Sequence, residues 1–118
     1  MKVLIVDDNT LIRKMLRAVL EPEGLECSEA GDVATALAAI VRDEPEVCFL
    51  DLHLPDGDGL GLLRQIRATL DRVRVPRVYL TTGSDTEGVA ERALDLGARG
   101  VLYKPFTPDQ VLLKVRET

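Results

Sequence analysis

Two hydrophobic patterns alternate along the chain and predict its secondary structure. Short apolar runs, rich in β-branched and aromatic residues and too short for helices, are typical of buried strands. These runs cover residues 3–6, 47–50, 78–80 and 101–103. A half-polar run at residues 25–30 predicts an edge strand. In the intervening stretches, apolar residues recur every three or four positions, which is the period of an amphipathic helix.

Capping and breaking residues predict where the five helices begin and end. Polar N-caps satisfy free backbone N–H groups, whereas glycine and proline end a helix. The predicted starts are Asn9 or Thr10, Asp32, Asp58 or Gly59, Asp85 or Thr86, and Thr107 followed by Pro108. The first helix is predicted to end at Pro22 and Gly24, and the fourth at Gly97. The predicted buried face of the second helix consists of Ala34, Leu37, Ala38 and Val41.

Strands and helices therefore alternate five times, as (βα)₅. Strict alternation predicts an α/β fold with a parallel sheet, helices on both faces and right-handed crossovers. A length of 118 residues fits one domain, and a hydrophobic content of 46% supports a sizeable core. We therefore expect residues 1–118 to form a single domain.

Composition and charge narrow the range of partners. The chain carries 15 Lys and Arg against 20 Asp and Glu, a net charge of −5, and it has no Trp. Direct binding of nucleic acid requires a basic face or aromatic stacking platforms, and anionic membranes also attract basic surfaces. No apolar run approaches the roughly 18 residues of a membrane span. We expect a cytoplasmic protein that contacts neither nucleic acid nor membrane directly.

Polar residues follow four of the predicted strands, where functional groups gather in parallel α/β sheets. They are Asp7 and Asp8, Asp51, Thr81, and Lys104. Clustered carboxylates repel one another unless a cation or a proton intervenes, and their hard oxygen atoms suit Mg²⁺. Each residue alone is also typical of a helix cap or a turn. Their coincidence at one sheet edge favours a phosphoryl-transfer site with a carboxylate nucleophile.

These motifs together resemble the receiver domain of two-component response regulators. The resemblance covers essentially the whole chain and depends on the combined spacing rather than on any one motif. It implies a doubly wound, flavodoxin-like receiver fold with strand order 2-1-3-4-5. The matching residues are Asp7, Asp8, Asp51, Pro55, Gly59, Val75, Pro76, Thr81, Lys104, Pro105 and Phe106.

The resemblance implies that Asp51 accepts a phosphoryl group and that Mg²⁺ assists. The donor would be a phosphohistidine on a sensor histidine kinase or a phosphotransfer protein. Asp8 is expected to bind the metal directly, and Asp7 mostly through a water molecule. With Asp51, the backbone carbonyl of His53 is expected to complete the protein's metal ligands. Such a protein is a signalling phosphoacceptor that catalyses only its own phosphorylation and dephosphorylation.

The resemblance also implies how the phosphoryl group is held and sensed. Lys104, in a peptide with Pro105 that is commonly cis, is expected to pair with one phosphoryl oxygen. Thr81 is expected to hydrogen-bond another oxygen and to move toward it on activation. Receiver domains usually carry an aromatic residue three positions before the lysine, but here that residue is Val101. Strand alternation places Tyr103 on the same face as Val101. We expect a smaller switch, or one carried by backbone movement.

The implied strand order also bears on the cysteines and the docking surfaces. Strands two and three would flank strand one, so Cys27 and Cys48 would lie about 10 Å apart. That distance is too long for a disulfide. The kinase is expected near the first helix, where Ile12 or Met15 fits either that surface or the core. Homodimer or output contacts are expected on the face of helix four, strand five and helix five. The chain fits a free-standing regulator or the N-terminal receiver of a longer one.

Three other interpretations compete with this one. A flavin or nucleotide module is disfavoured because Asp7 and Asp8 would repel phosphate and no glycine-rich phosphate motif is present. An aspartate-dependent phosphatase is disfavoured because His53 stands where that class has a second aspartate. A pseudo-receiver, which keeps the fold without phosphorylation, stays the alternative. The side chain of His53 and the small residue Gly83 are expected beside the mouth of an open site.

Overall fold

The computed structural model describes residues 1–71, 74–83 and 88–117. A five-stranded parallel sheet lies at its centre, with strands numbered here in chain order. They are β1 (Lys2–Val6), β2 (Glu26–Ala30), β3 (Val47–Asp51), β4 (Arg77–Thr82) and β5 (Gly100–Tyr103). The strand order is β2-β1-β3-β4-β5, which confirms the predicted doubly wound α/β fold.

Within the described residues, five helices connect or follow these strands. They are α1 (Thr10–Leu20), α2 (Val33–Asp43), α3 (Gly59–Thr69), α4 (Val89–Asp95) and α5 (Pro108–Arg116). A 3₁₀ turn at Glu21–Glu23 extends α1, and a short antiparallel hairpin pairs His53–Leu54 with Gly57–Asp58. Within the described part of the chain, no helix is long and apolar enough to cross a bilayer.

Alternation along the strands divides the core into two clusters, one on each face of the sheet. In β1, Leu4 and Val6 belong to the cluster that includes buried residues of α2, α3 and α4. Val3 and Ile5 belong to the other cluster, with buried residues of α1 and α5. Every residue of the central strand β3 is buried, as expected where helices cover both faces of a parallel sheet.

Side-chain caps explain where four of the helices begin. Asn9, Asp32, Asp58 and Thr107 each accept a hydrogen bond from a backbone N–H group of the first turn. These caps match the predicted starts of α1, α2, α3 and α5. Helix α4 begins at Val89 after Gly88. The predicted alternatives for its start, Asp85 and Thr86, lie outside the described residues.

The predicted buried face of α2 is wrong. Ala34, Ala38 and Val41 are exposed, and only Leu37 of the predicted set packs against the core. The polar side chains Thr35, Arg42 and Asp43 occupy only one side of the helix, so the apolar surface is wider than the face that packs. Its contacts with β1, β2 and α3 select the face instead. The buried residues are Ala36, Ala39 and Ile40.

The two cysteines lie on strands that flank β1, as predicted. Cys27 of β2 is opposite Val3, and Cys48 of β3 is opposite Leu4. Both are free thiols. Complete burial raises the pKa of Cys48 to about 12, so this thiol is an inert part of the core.

Candidate functional site

An acidic cluster lies at the carboxyl edge of the sheet. Asp7 and Asp8 directly follow β1, and Asp51 is the last residue of the neighbouring strand β3. One carboxylate oxygen from each residue lies within 4.8 Å of the other two. Asp7 and Asp51 are only 2% and 5% exposed, whereas Asp8 is exposed. The parallel strands thus bring together the three carboxylates that the sequence predicted.

Asp51 is held in an environment that resists its negative charge. Burial, reinforced by the nearby charge of Asp7, raises the pKa of the Asp51 carboxyl. The ammonium group of Lys104 and a hydrogen bond from the backbone N–H of His53 oppose this rise. Burial and the charge of Asp7 therefore destabilise the Asp51 carboxylate more than Lys104 and the His53 N–H group stabilise it.

Lys104 supplies a positive charge to the cluster. Its Nζ atom lies 2.9 Å from Asp7 Oδ2 and 3.4 Å from Asp51 Oδ1. Partial burial tends to lower the pKa of the Lys104 ammonium, but the hydrogen bond to Asp7 and the charge of Asp51 outweigh it and raise the pKa. The backbone N–H of Lys104 donates to the Thr82 carbonyl at 2.8 Å, and the Lys104–Pro105 peptide is cis, as expected.

Thr81 lies next to Asp51 across the sheet. The two residues are paired in the register of β3 and β4, and Thr81 is 2% exposed. The backbone N–H of Leu52 donates to the Thr81 carbonyl at 3.0 Å, which extends the strand pairing past Asp51. The predicted hydroxyl residue is therefore anchored to the same edge of the sheet as the carboxylates.

The loop that carries Asp7 and Asp8 has a support that the sequence analysis missed. Arg13 of α1 donates from Nη1 to the Asp7 backbone carbonyl at 2.6 Å. Its Nε atom donates to Glu29 of β2 at 2.9 Å. The Asn9 N–H group also donates to Asp7 Oδ1 at 2.9 Å. Nothing in the local pattern distinguishes Arg13 from a solvated helix residue, because its partners are distant in sequence.

The loop after Asp51 depends on Gly59. A Cβ atom at this position would lie 2.6 Å from the Asp51 backbone oxygen, so only glycine fits. The Gly59 N–H group donates to the Leu52 carbonyl at 2.8 Å and closes the loop. Asp56, whose role the sequence analysis missed, accepts from the N–H groups of Val33 and Ala34 at 2.7 and 3.2 Å. It thereby ties this loop to the start of α2.

His53 and Gly83 each lie two residues after a proposed site residue, Asp51 and Thr81, at the carboxyl edge of the sheet. The His53 side chain is exposed. A Cβ atom on Gly83 would meet no atom within 4 Å. That both positions border an open site stays a prediction.

The predicted switch region is built without an aromatic ring at its usual place. Val101 is half-buried, packs against the core cluster of α2, α3 and α4, and pairs with Leu80. Tyr103 is 44% exposed and pairs with Thr82. The aromatic residue available here is therefore two positions further along β5, beside Lys104.

The arrangement fits a hard divalent cation. Opposite ligands of a Mg²⁺ ion with bonds of about 2.1 Å lie about 4.2 Å apart. Adjacent ligands of the same ion lie only about 3.0 Å apart, so carboxylate oxygens up to 4.8 Å apart would have to move closer together or bind partly through water molecules. Chemically, the site can present a carboxylate nucleophile with a cation, a lysine and a hydroxyl group around it.

Comparison with known proteins places this geometry in a family. A model of the response regulator receiver domain matches residues 3–116. The DNA-binding response regulator MtrA of Mycobacterium tuberculosis is 36% identical over 115 residues, covering 98% of this chain and 49% of that protein. The phosphate regulon transcriptional regulatory protein PhoB of Pseudomonas aeruginosa is 33% identical over 114 residues, covering 97% and 49%. The chain spans about half the length of the curated relatives it matches.

Solved structures agree in fold. A CheY-like response regulator receiver domain protein from Methanospirillum hungatei has a TM-score of 0.89 at 30% identity, covering 98% of this chain and 90% of the other. The chemotaxis response regulator CheY4 of Vibrio cholerae has a TM-score of 0.88 at 28% identity, covering 98% and 95%. With the family match over nearly its whole length, the chain belongs to the response regulator receiver domain family.

Proposed function

We propose that this receiver domain takes a phosphoryl group onto Asp51 from a phosphohistidine in a Mg²⁺-dependent reaction. An Asp51 carboxylate oxygen attacks the phosphorus atom and forms a P–O bond. The P–N bond of the donor breaks, and the departing imidazole keeps the electron pair and takes up a proton. The product is an acyl phosphate on Asp51. The observation that carries this proposal is the convergence of Asp7, Asp8 and Asp51, with Lys104 within 3.4 Å of both Asp7 and Asp51.

The clustered carboxylates of this site favour the binding of a cation. The carboxylates of Asp7, Asp8 and Asp51, with the His53 carbonyl, would hold Mg²⁺. When bound, the ion neutralises charge on the phosphoryl oxygens and on the three carboxylates. Asp7 also holds the Lys104 ammonium at 2.9 Å, which keeps that group beside the nucleophile.

Lys104 and Thr81 would bind the transferred group. The Lys104 ammonium, 3.4 Å from Asp51 Oδ1, is placed to pair with a phosphoryl oxygen once the acyl phosphate forms. Thr81, paired with Asp51 in the sheet, would donate its hydroxyl to a second oxygen. Because Val101 replaces the usual aromatic residue, we expect the response to pass through the backbone of β4 and β5.

The partners follow from the family and from the exposed surface. Receiver domains are signalling phosphoacceptors rather than classical enzymes, and they act with histidine kinases. We propose that a kinase or phosphotransfer protein docks at α1, where Leu11 and Met15 are 67% and 54% exposed. Output or homodimer contacts would use the face of α4, β5 and α5, where Leu94 and Leu113 are exposed.

The domain is proposed to act within a longer regulator. The related regulators named above are about twice as long as this chain, and MtrA is described as DNA-binding. With a net charge of −5, this domain itself does not have the basic charge balance that is typical of DNA-binding domains. A separate segment would therefore contact DNA.

Intact mass after incubation with acetyl phosphate and Mg²⁺ tests the proposed acceptor. We expect a gain of roughly 80 Da that is labile in base, as an acyl phosphate is. Asp51→Asn should show no gain. Asp95→Asn, which changes an exposed aspartate at the end of α4, should behave as wild type.

The outcomes separate the receiver from a pseudo-receiver. If acetyl phosphate gives no gain, transfer from a phosphorylated histidine kinase is measured with the same variants. Absence of transfer from a panel of kinases, with Mg²⁺ binding intact, would favour the pseudo-receiver. A gain of equal size in Asp51→Asn would contradict the assignment of Asp51.

A further inference from the structure

A second charged site lies at the opposite, amino edge of the sheet. An open cleft of about 630 Å³ is formed there by the end of α3, the segment before β4 and the turn before β5. Its surface is more polar than apolar. The lining residues are Arg67, Leu70, Val75, Pro76, Arg77, Gly97 and Arg99.

Three arginines reach this cleft from three separate segments. Arg67 lies in the last turn of α3, Arg77 is the first residue of β4, and Arg99 directly precedes β5. The guanidinium of Arg67 lies over Gly97, in the space that a Cβ atom at this position would occupy. The missing side chain of Gly97 therefore makes room for Arg67 at the cleft.

The positive charges of the cleft lack internal compensation. Among the described residues, no carboxylate pairs with Arg67 or Arg99, and Arg77 donates to the backbone carbonyls of Val115 and Glu117. By contrast, the nearby Arg74 has carboxylate partners at 3.5 and 3.7 Å. In a chain with a net charge of −5, two guanidinium groups without a carboxylate partner among the described residues, beside the Arg77 guanidinium that binds backbone carbonyls, are a local exception.

We propose that this cleft binds a small anionic ligand with two or more phosphate groups. Guanidinium groups present a planar fork of N–H donors that matches phosphate oxygens, so several of them favour a polyphosphate over a single phosphate. The volume is within the usual range of small-molecule sites. Leu70, Val75 and Pro76 add an apolar wall that a nucleobase could contact. Inorganic polyphosphate and a nucleoside triphosphate are the two sources of this chemistry.

Calorimetric titration of the intact chain with tripolyphosphate and with ATP tests the site. Mg²⁺ is removed with a chelator. The carboxylates of Asp7, Asp8 and Asp51 then repel the phosphate groups of the ligand, so that the ligand does not bind at the carboxyl edge. We expect saturable 1:1 binding to wild type, weakened by NaCl. Tighter binding of ATP would show that the apolar wall contacts the base, whereas equal affinities would assign the cleft to polyphosphate itself.

Substitutions locate the binding. Arg67→Gln and Arg99→Gln should each raise the Kd about tenfold, since each removes a charge-assisted contact. Arg64→Gln is the matched control, because Arg64 is exposed on the same helix and does not line the cleft. Its Kd should change less than about twofold. Thermal melting of each variant without ligand shows whether it is folded.

Amide chemical shifts provide a second readout. Addition of the ligand should change the amide chemical shifts of Val75, Gly97 and Arg99 and leave those of Asp51 and Thr81 unchanged. The proposal is overturned by any of three results: no binding at millimolar ligand, equal Kd values for the arginine variants and wild type, or shifts confined to the carboxyl edge.

Discussion

Each edge of the central sheet carries a cluster of like charges, carboxylates at the carboxyl edge and guanidinium groups at the amino edge. The two clusters differ in how the repulsion between these charges is relieved. At the carboxyl edge, Asp7 and Asp51 are buried, and the ammonium of Lys104 lies among them. At the amino edge, Arg67 and Arg99 are exposed and have no described carboxylate partner. Burial removes the screening by water, so a buried cluster requires a countercharge within the fold. An exposed cluster can persist without one.

The two edges also differ in how rigidly their residues are held. Strand ends, backbone hydrogen bonds and the close approach of Gly59 fix the carboxyl edge around Asp51. At the amino edge, Arg67 is a long side chain resting on Gly97. The carboxyl edge is therefore organised before any ligand arrives, whereas the arginines can adjust to one. Four predictions test this contrast.

Removal of the countercharge should have the largest effect. Lys104→Met leaves Asp7 and Asp51 buried without their lysine, and we expect the free energy of unfolding to fall by about 3 kcal/mol. Urea denaturation at pH 7 with a chelator measures this loss. Saturating Mg²⁺ should restore part of it, because the ion binds the folded state.

Lys14→Met is the control for a lost lysine, because Lys14 is exposed on α1. Its effect should stay within about 0.5 kcal/mol. Equal losses in the two variants would show that the carboxyl edge does not depend on its countercharge.

Added methyl groups should distinguish the rigid edge from the adjustable one. In Gly59→Ala the new Cβ atom meets the Asp51 backbone, which cannot move aside. We expect the free energy of unfolding to fall by about 2 kcal/mol. In Gly97→Ala the obstacle is a movable Arg67 side chain, so the cost of about 1 kcal/mol comes mainly from the backbone φ of +100°.

Gly83→Ala should be near neutral, since its Cβ would meet nothing within 4 Å. Chemical denaturation of the three variants ranks their losses in the free energy of unfolding. If Gly97→Ala were the most damaging, the amino edge would be the more rigid of the two.

The pH dependence of stability should report the crowding at Asp51. Its raised pKa means that protonation favours the folded state, so its contribution is complete below the ordinary aspartate pKa of about 4. That contribution is lost as the pH rises through the raised pKa. Without Mg²⁺, Asp51→Asn should therefore be more stable than wild type at pH 7, by about 1 kcal/mol.

Denaturation from pH 4 to pH 7 with a chelator checks this sign. The difference between variant and wild type should grow with pH and should shrink when Mg²⁺ is added. A variant less stable than wild type at pH 7 would rule out carboxylate crowding as the dominant interaction at Asp51.

The smallest effect is expected at the amino edge. Arg67→Gln removes an exposed charge without a described carboxylate partner, so its stability should change by less than about 0.5 kcal/mol, in the stabilising direction at low salt. Arg17→Gln is the contrasting control, because Arg17 pairs with Glu21 and Glu29. It should lose about 0.5–1 kcal/mol. Thermal melting at low and high NaCl compares the stability of the two variants. A clear loss of stability in Arg67→Gln would indicate a structural role for that arginine.

Sequence patterns were most informative where the signal is local or depends on strand ends. The caps Asn9, Asp32 and Thr107 could be predicted because each side chain acts within its own helical turn. The face of α2 could not, since the apolar surface of this helix is wider than the face that packs and the period points to the wrong part of it. Its buried residues Ala36 and Ile40 were selected by packing.

The sequence by itself determined the alternation of strands and helices, the charge balance and the acidic residues that follow β1 and β3. Parallel strands then bring such residues to one edge, which is why Asp7, Asp8, Asp51 and Lys104 could be named in advance. Only the tertiary structure decided that Arg13 supports the Asp7 carbonyl. It alone placed arginines from three segments in one cleft. Long side chains meet through packing between distant segments, and no local pattern encodes such meetings.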